Sequence, residues 1–418
     1  MNETPVANRL HIGIFGKRNV GKSSFINAIT GQKLSIVSDV PGTTTDPVGK
    51  AMEISGIGPA YLYDTAGLDD TGELGRMRTE RTRDIIEKIN LAVLLTTPEG
   101  FDAFDEGLMR ELTGKKVSVI LVFNKSDLHP LGKEERDRAE ALGAPFLSVS
   151  SVSGEGIEQA RKVIASVGGA ISVESDTILG DLIGHGDTVV LVVPIDLGAP
   201  KGRLILPQVQ VIRDILDNDA IAVVAKEREI EQVLGGMAAR PALVVCDSQV
   251  VLKVSGDVPP DVRFTTFSIL FSRQKGELAA FVEGVRAIDS LEDGDRVLIM
   301  EACTHHPMPD DIGRVKIPRW IRGYTGKDVA FDTNAGPFRD KDMSRYKLVV
   351  HCGGCMINRA EMTGRIEEAR RHNVPITNYG IAISHVHGVL RRALSPFPYE
   401  SSLLEKGGPG GKTREGMK

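Results

Sequence analysis

Short apolar runs alternate with amphipathic stretches along the whole chain, the pattern of mostly parallel strands joined by helices. In the first part, Leu10–Phe15, Ala60–Asp64, Leu91–Thr96, Val117–Phe123 and Pro145–Val149 predict strands, and Gly154–Val167 predicts a closing helix. A second block opens near Ser172. It holds strand candidates Thr188–Ile195, Ile221–Ala225 and Ala242–Cys246, with helical spacing over Gln208–Leu216 and Glu227–Leu234. A third block opens near Phe264. There Gly276–Ile288, Asn358–Arg371 and His385–Leu394 read as helices, and Arg296–Glu301, Tyr346–Val350 and Ile376–Ile383 read as strands. The expected organisation is therefore α/β throughout, with domains over 1–170, 171–263 and 264–405. The Gly-rich, charged tail 406–418 is expected to be disordered.

Composition narrows the class. A chain of 418 residues, 41% hydrophobic and 26% charged, is too long for one core and has the balance of a soluble globular protein. A formal net charge of -5 argues against nucleic acid as the main partner. No apolar run reaches membrane-spanning length, so no membrane role is expected. Met1-Asn2-Glu3-Thr4-Pro5 lacks the basic start and apolar core of a secretory signal. Four cysteines do not make a disulfide framework in a chain this long, and a cytoplasmic, reducing location is expected.

The first domain carries an ordered set of nucleotide motifs. Gly16-Lys17-Arg18-Asn19-Val20-Gly21-Lys22-Ser23 follows a strand and opens a helix, the context of a phosphate-binding loop. Gly16 and Gly21 let backbone N–H groups face phosphate oxygens, Lys22 reaches the β- and γ-phosphates, and Ser23 ligates Mg²⁺. Asp64 of Asp64-Thr65-Ala66-Gly67 should hold Mg²⁺ through water, and Gly67 should present its N–H to the γ-phosphate. In Asn124-Lys125-Ser126-Asp127, the Asp127 carboxylate accepts two hydrogen bonds from the guanine edge and the Lys125 stem covers the base. Ser150-Ser151-Val152 reads as the last base-contacting loop. Within Pro41-Gly42-Thr43-Thr44-Thr45, Thr44 is favoured as the residue that completes the Mg²⁺ shell, with Thr43 and Thr45 as alternatives. The expected cofactors are GTP/GDP and Mg²⁺, and the expected activity is hydrolysis of GTP to GDP and phosphate.

Gly16-x-x-Asn19-Val20-Gly21-Lys22-Ser23-Ser24 and Gly42-Thr43-Thr44 resemble the TRAFAC GTPases of the tRNA-modification and Era-like branch. That resemblance places a K⁺ ion on Asn19. Leu68 stands after Asp64-Thr65-Ala66-Gly67, where Ras-like proteins have Gln, and Leu cannot orient water.

The remainder holds different chemistry. Cys303-Thr304-His305 follows one predicted strand, and His351-Cys352-Gly353-Gly354-Cys355 follows another. Strand-to-loop junctions are the usual site position in parallel α/β sheets. Three thiolates suit an iron–sulfur cluster, and the same residues with His305 or His351 suit a Cys₃His zinc site. Cys352-x-x-Cys355 alone also fits a redox pair. Cys246, alone at a strand end, reads as a buried hydrophobe, and His11, His129, His185 and His372 lie apart. His306, His385 and His387 are candidates to line the site, with His387 expected to pack on a helix.

A GTPase followed by Cys-x-His and a distant His-Cys-x-x-Cys resembles the FeFe-hydrogenase maturation GTPases, the HydF family. The resemblance covers nearly the whole chain. It implies a GTPase domain, a dimerisation domain and a 4Fe-4S domain, with Cys303, Cys352 and Cys355 as cluster ligands and His305 and His351 as the histidines of the motif. It further implies a scaffold or carrier for the transient di-iron precursor of the hydrogenase active site. Its partners would be the radical-SAM maturases, the apo FeFe-hydrogenase and a second copy in a homodimer. One cluster iron would stay open to a weak ligand, for which Asp196 is a candidate and Asp187 and Glu301 are rivals. The alternatives are an iron–sulfur or zinc GTPase of tRNA modification or of ribosome assembly.

Overall fold

The computed structural model describes residues 5–31, 49–54, 56–65, 82, 84–173, 177–194, 204–302, 311–336 and 343–405. Thr44, Gly67, Leu68, Asp196, Cys303, His305, His306 and the tail 406–418 lie outside them. The chain divides into two compact units, 1–175 and 176–418.

In the first unit six strands form one sheet, β1 (Leu10–Phe15), β2 (Gly49–Ile54), β3 (Gly58–Asp64), β4 (Leu91–Thr96), β5 (Ser118–Phe123) and β6 (Phe146–Ser148). Their order is β2-β3-β1-β4-β5-β6, with β2 antiparallel to β3 and every other pair parallel. β4 is buried at all six positions, as a central strand covered on both faces must be. β2 alternates half-exposed residues at the sheet edge and gave no apolar run to read in advance. The connections leave β1 in opposite directions, toward β3 and toward β4, so the crevice at the carboxyl end of β1 is a topological switch point.

The second unit holds two all-parallel four-stranded sheets. The first comprises β7 (Thr188–Val192), β8 (Ile221–Ala225), β9 (Leu243–Cys246) and β10 (Phe264–Thr266) in the order β10-β9-β7-β8. Phe264–Thr266, read from sequence as the head of the third block, is therefore the outer strand of this sheet. The other comprises β11 (Arg296–Glu301), β12 (Ala330–Ala335), β13 (Leu348–His351) and β14 (Ile376–Asn378) in the order β12-β11-β13-β14. Its switch point lies between β11 and β13. One continuous core joins both sheets, from Ile178 to Leu403.

Two sequence expectations change here. The apolar run Ile376–Ile383, expected as one strand, is β14 followed by a helix over Tyr379–Val386. Asn378 breaks it: its side chain accepts a hydrogen bond from the Ile381 N–H at 2.8 Å and caps the helix. The helix expected over His385–Leu394 is interrupted at Gly388, whose φ of 73° is left-handed, and resumes at Leu390–Ala393.

Gly284 shows how tightly the unit packs. A Cβ there would meet the Ile376 carbonyl oxygen of β14 at 2.0 Å and its carbonyl carbon at 2.6 Å. Backbone cannot yield as a side-chain tip can. Gly284→Ala should therefore lower unfolding free energy by about 3 kcal/mol, measured by urea denaturation of the full chain; an unchanged midpoint would contradict this packing.

Candidate functional site

The nucleotide site forms at the carboxyl edge of the first sheet. Parallel register sets Ile14 of β1 beside Asp64 of β3, and Thr65 donates its N–H and its hydroxyl to the Ile14 carbonyl at 3.3 and 2.6 Å. This fixes Asp64 next to the loop that follows β1. Burial raises the Asp64 carboxyl above its ordinary value, opposed by the Lys22 ammonium. The Lys22 Nζ donates to the carbonyls of Gly16 and Lys17 at 2.9 and 2.8 Å, which pins the loop around its own lysine. Ser23 and Ser24 open the helix Lys22–Thr30, whose first N–H groups face the same crevice.

Asn124 is a hub. Its Nδ2 donates to the Val20 carbonyl at 2.8 Å, and its Oδ1 accepts from the Ser151 N–H and hydroxyl at 3.1 and 2.9 Å. One side chain thus ties the loop after β1, the loop after β5 and the loop after β6, the three stretches expected to contact nucleotide. Gly21, at φ 92°, makes room for it, since a Cβ there would meet Asn124 Nδ2 at 2.4 Å. Asn19 and Lys125 both sit at left-handed φ, 63° and 64°. Ser150 is fully buried and its hydroxyl accepts the Ser153 N–H at 3.1 Å. Asp127 stands in the turn after β5, beside these loops.

Lys17 escaped sequence analysis. Its ammonium pairs with Asp102 at 2.7 Å and with the fully buried Asp105 at 3.1 Å, and bonds the Gly100 carbonyl at 2.8 Å. The phosphate loop is thereby anchored to the segment after β4.

A second site occupies the switch point of the third sheet. Met300 of β11 lies opposite His351 of β13, and the Cys352 N–H donates to the Met300 carbonyl at 2.8 Å. In return the Ala302 N–H donates to Cys352 Sγ at 3.1 Å. Strand pairing thus brings Ala302, the residue before Cys303 in the sequence, to the Cys-x-x-Cys turn. Burial pushes the Cys352 thiol up to about 11, while N–H groups of Gly354 and Ala302 favour the thiolate. Such N–H···S contacts are among the means by which proteins tune metal-bound thiolates.

His351 is fully buried with both nitrogens engaged. Nδ1–H donates to the Cys352 carbonyl and Nε2 accepts from Arg365, each at 2.7 Å. Arg365 in turn pairs with Glu361 at 2.8 Å. Burial first, then Arg365, lowers the imidazolium to about 3, so the ring is neutral. In this arrangement His351 orients the turn and offers no free nitrogen to a metal. Glu301, one of the weak-ligand rivals, is held by Arg314 through contacts of 3.2 and 2.7 Å. Asp187, the other, accepts the Gly184 N–H at 2.7 Å in the second sheet's loop. Cys246 is fully buried, and burial pushes its thiol well up. His385 bonds Asp289 at 2.9 Å, and His387 packs edge-on against Trp320 at 5.1 Å. Among the described residues no group of three His, Cys, Asp or Glu side chains is gathered as a metal site, and Cys303 and His305 lie outside them.

Two further residues face the turn. The Lys275 ammonium donates to the carbonyls of Gly354, Cys355 and Ile357 at 3.1, 3.3 and 3.0 Å. Its signal in the sequence is a lysine completing the buried stripe of the helix Phe267–Lys275, where an apolar residue is expected. Tyr379, the residue after β14, buries its hydroxyl without a partner among the described residues, and its phenol is pushed strongly up by burial and by nearby Cys352 and Glu301.

Comparison with known proteins decides the family. Residues 178–276 match the profile of the hydrogen maturase F dimerization domain, and residues 279–396 match that of its tetramerization domain. The chain belongs to the hydrogen maturase F family. Residues 11–125 match a family described as 50S ribosome-binding GTPase. This maturase is 35% identical over 171 residues to the tRNA modification GTPase MnmE of Bacillus subtilis (strain 168), which covers 40% of this chain and 36% of that one. It is 37% identical over 168 residues to GTPase Der of Wolinella succinogenes, 38% of this chain and 36% of that one. The chain thus spans about a third of the length of these curated relatives. The G domain of the T. maritima FeoB iron transporter aligns at 25% identity with a TM-score of 0.30, over 38% of this chain and 98% of that one. The chain is accordingly a P-loop GTPase-family domain followed by the family's dimerization and tetramerization domains. Among the described residues, no helix is long and apolar enough to cross a membrane.

The buried Tyr379 hydroxyl carries a cost in the metal-free protein, because an unpaired buried donor forfeits its hydration. Tyr379→Phe should raise the unfolding free energy of the metal-free chain by about 1 kcal/mol. A loss of that size in guanidinium denaturation would show that the hydroxyl is bonded after all.

Proposed function

We propose that the maturase carries a 4Fe-4S cluster on Cys303, Cys352 and Cys355 and uses it as the docking point for the di-iron precursor of the hydrogenase active site. The observation that carries this reading is the Ala302 N–H on Cys352 Sγ, which ties the segment entering Cys303 to the Cys-x-x-Cys turn. Three protein thiolates on a four-iron cube leave one iron for a weak or exchangeable ligand. His305 and Asp196 are the proposed weak ligands, and His351 orients the turn. The GTPase half binds nucleotide through Gly16, Gly21, Lys22, Ser23 and Ser24, selects guanine through Asn124, Lys125, Asp127, Ser150 and Ser151, and hydrolyses it with Thr44, Asp64 and Gly67 around Mg²⁺. K⁺ on Asn19 supplies the charge that Leu68 cannot replace by orienting water. The radical-SAM maturases load the carrier, and the apo FeFe-hydrogenase unloads it. The dimerization and tetramerization profiles support a homo-oligomer built on dimers, and the proposed location is the cytoplasm. The tRNA-modification and ribosome-assembly alternatives rest on the GTPase third alone.

Full-length protein produced together with the maturases should activate a hydrogenase lacking its di-iron centre, and protein produced without them should not. Changing any one of Cys303, Cys352 or Cys355 to Ser should abolish activation while GTP turnover, faster in K⁺ than in Na⁺, stays within about twofold of wild type. Undiminished activation by all three Ser variants would end the carrier reading. Equal turnover in the two salts would remove Asn19 from the catalytic set.

A further inference from the structure

Lys275 is 5% exposed, and a lysine that deep is costly unless its charge is answered. Its three ammonium donors meet three carbonyls drawn from the four residues 354–357, the second half of the cysteine turn and the residues that lead into the helix Arg359–Arg371. Carbonyl dipoles solvate an ammonium but do not neutralise it. The other cations near this edge are neutralised: Arg365 by Glu361 and Arg314 by Glu301. Among the described residues no carboxylate pairs with Lys275. The Phe271 ring lies 5.5 Å from the ammonium, so the far side is aromatic rather than acidic. Burial lowers the Lys275 ammonium to about 8, and the nearby sulfurs of Cys355 and Cys352 oppose that loss of charge. A buried, uncompensated cation beneath a two-cysteine turn is the complement of an anionic occupant.

The position has a second consequence. Lys275 lies in the stretch matched by the dimerization profile, 178–276, while the turn lies in the stretch matched by the tetramerization profile, 279–396. The helix that ends in Lys275 begins directly after β10, whose last residue, Thr266, caps it: the Thr266 hydroxyl accepts the Ile269 N–H at 3.2 Å. One helix therefore runs from the edge of one sheet to the cysteine turn of the other.

We infer that Lys275 is the positioning residue and fixed counter-cation of the Cys352-x-x-Cys355 turn. It gathers the carbonyls of Gly354, Cys355 and Ile357 so that the turn is formed before any metal arrives. Its charge makes the reduced, more negative state of the bound centre easier to reach, since net charge around a cluster sets its potential. The second half of this inference rests on the cluster reading above. The first half does not.

The test uses the full chain with Lys275→Gln, Lys275→Met and Lys275→Arg. In the metal-free proteins, hydrogen exchange over residues 353–357 should be at least tenfold faster in Lys275→Met than in wild type, with the strands of the third sheet unchanged. After anaerobic reconstitution with iron and sulfide, a potentiometric titration followed by paramagnetic resonance should place Lys275→Gln at a more negative midpoint than wild type and Lys275→Arg near wild type. Wild-type exchange in Lys275→Met together with a wild-type midpoint in Lys275→Gln would overturn the inference. If the neutral variants do not fold, Lys275→Arg decides: a folded Lys275→Arg chain with a clearly more negative midpoint refutes the charge role. A wild-type chain that takes up no iron–sulfur centre would end the cluster reading instead, and the exchange arm would still judge the positioning role.

Discussion

The second unit depends on one piece of strand register. Met300 opposite His351 fixes where β11 and β13 stop, and so fixes which loops meet at their carboxyl ends. The exchange of hydrogen bonds between Cys352 and the Met300–Ala302 segment follows from it. A slip of one residue would turn every side chain of β13 to the opposite face. Leu348, Val349 and Val350 are all fully buried between helical layers, so packing on both faces holds that register. The chemistry of the turn then rests on groups packed behind it. His351, Arg365 and Glu361 form a hydrogen-bonded line, and Lys275 gathers carbonyls of the turn.

The two units solve the same problem with the same geometry. Each places its site where strand connections diverge at the carboxyl edge of a parallel sheet, between β1 and β4 in one and between β11 and β13 in the other. Both surroundings combine N–H groups with a lysine ammonium. The crevice after β1 gathers the first N–H groups of the helix Lys22–Thr30 and the Lys22 ammonium, a setting that suits phosphate. The cysteine edge gathers N–H groups on sulfur and one unneutralised ammonium.

Much of this was legible in the residues. Strands buried on both faces, such as β4 and β11, announce themselves as continuous apolar runs, and the nucleotide motifs carry their own spacing. Edge strands β2 and β12 did not, because half-exposed positions dilute the pattern. The run after Ile376 misled because a single Asn side chain, not hydrophobicity, decides where strand becomes helix. His351 read as a metal ligand from its place beside Cys352. Only the fold reveals that Arg365, fourteen residues away, occupies its Nε2. Lys275 was invisible for the same reason, since its partners lie 79 to 82 residues further along.

The central claim is the proposal that Cys303, Cys352 and Cys355 hold one iron–sulfur centre. Iron and acid-labile sulfide analysis of the anaerobically reconstituted full chain, read with its Mössbauer spectrum, tests this most directly. The account predicts about four irons and four sulfides per chain in one cubane signal. A single tightly bound zinc with no sulfide, or iron that is as abundant when Cys303 is replaced by Ser, would contradict it.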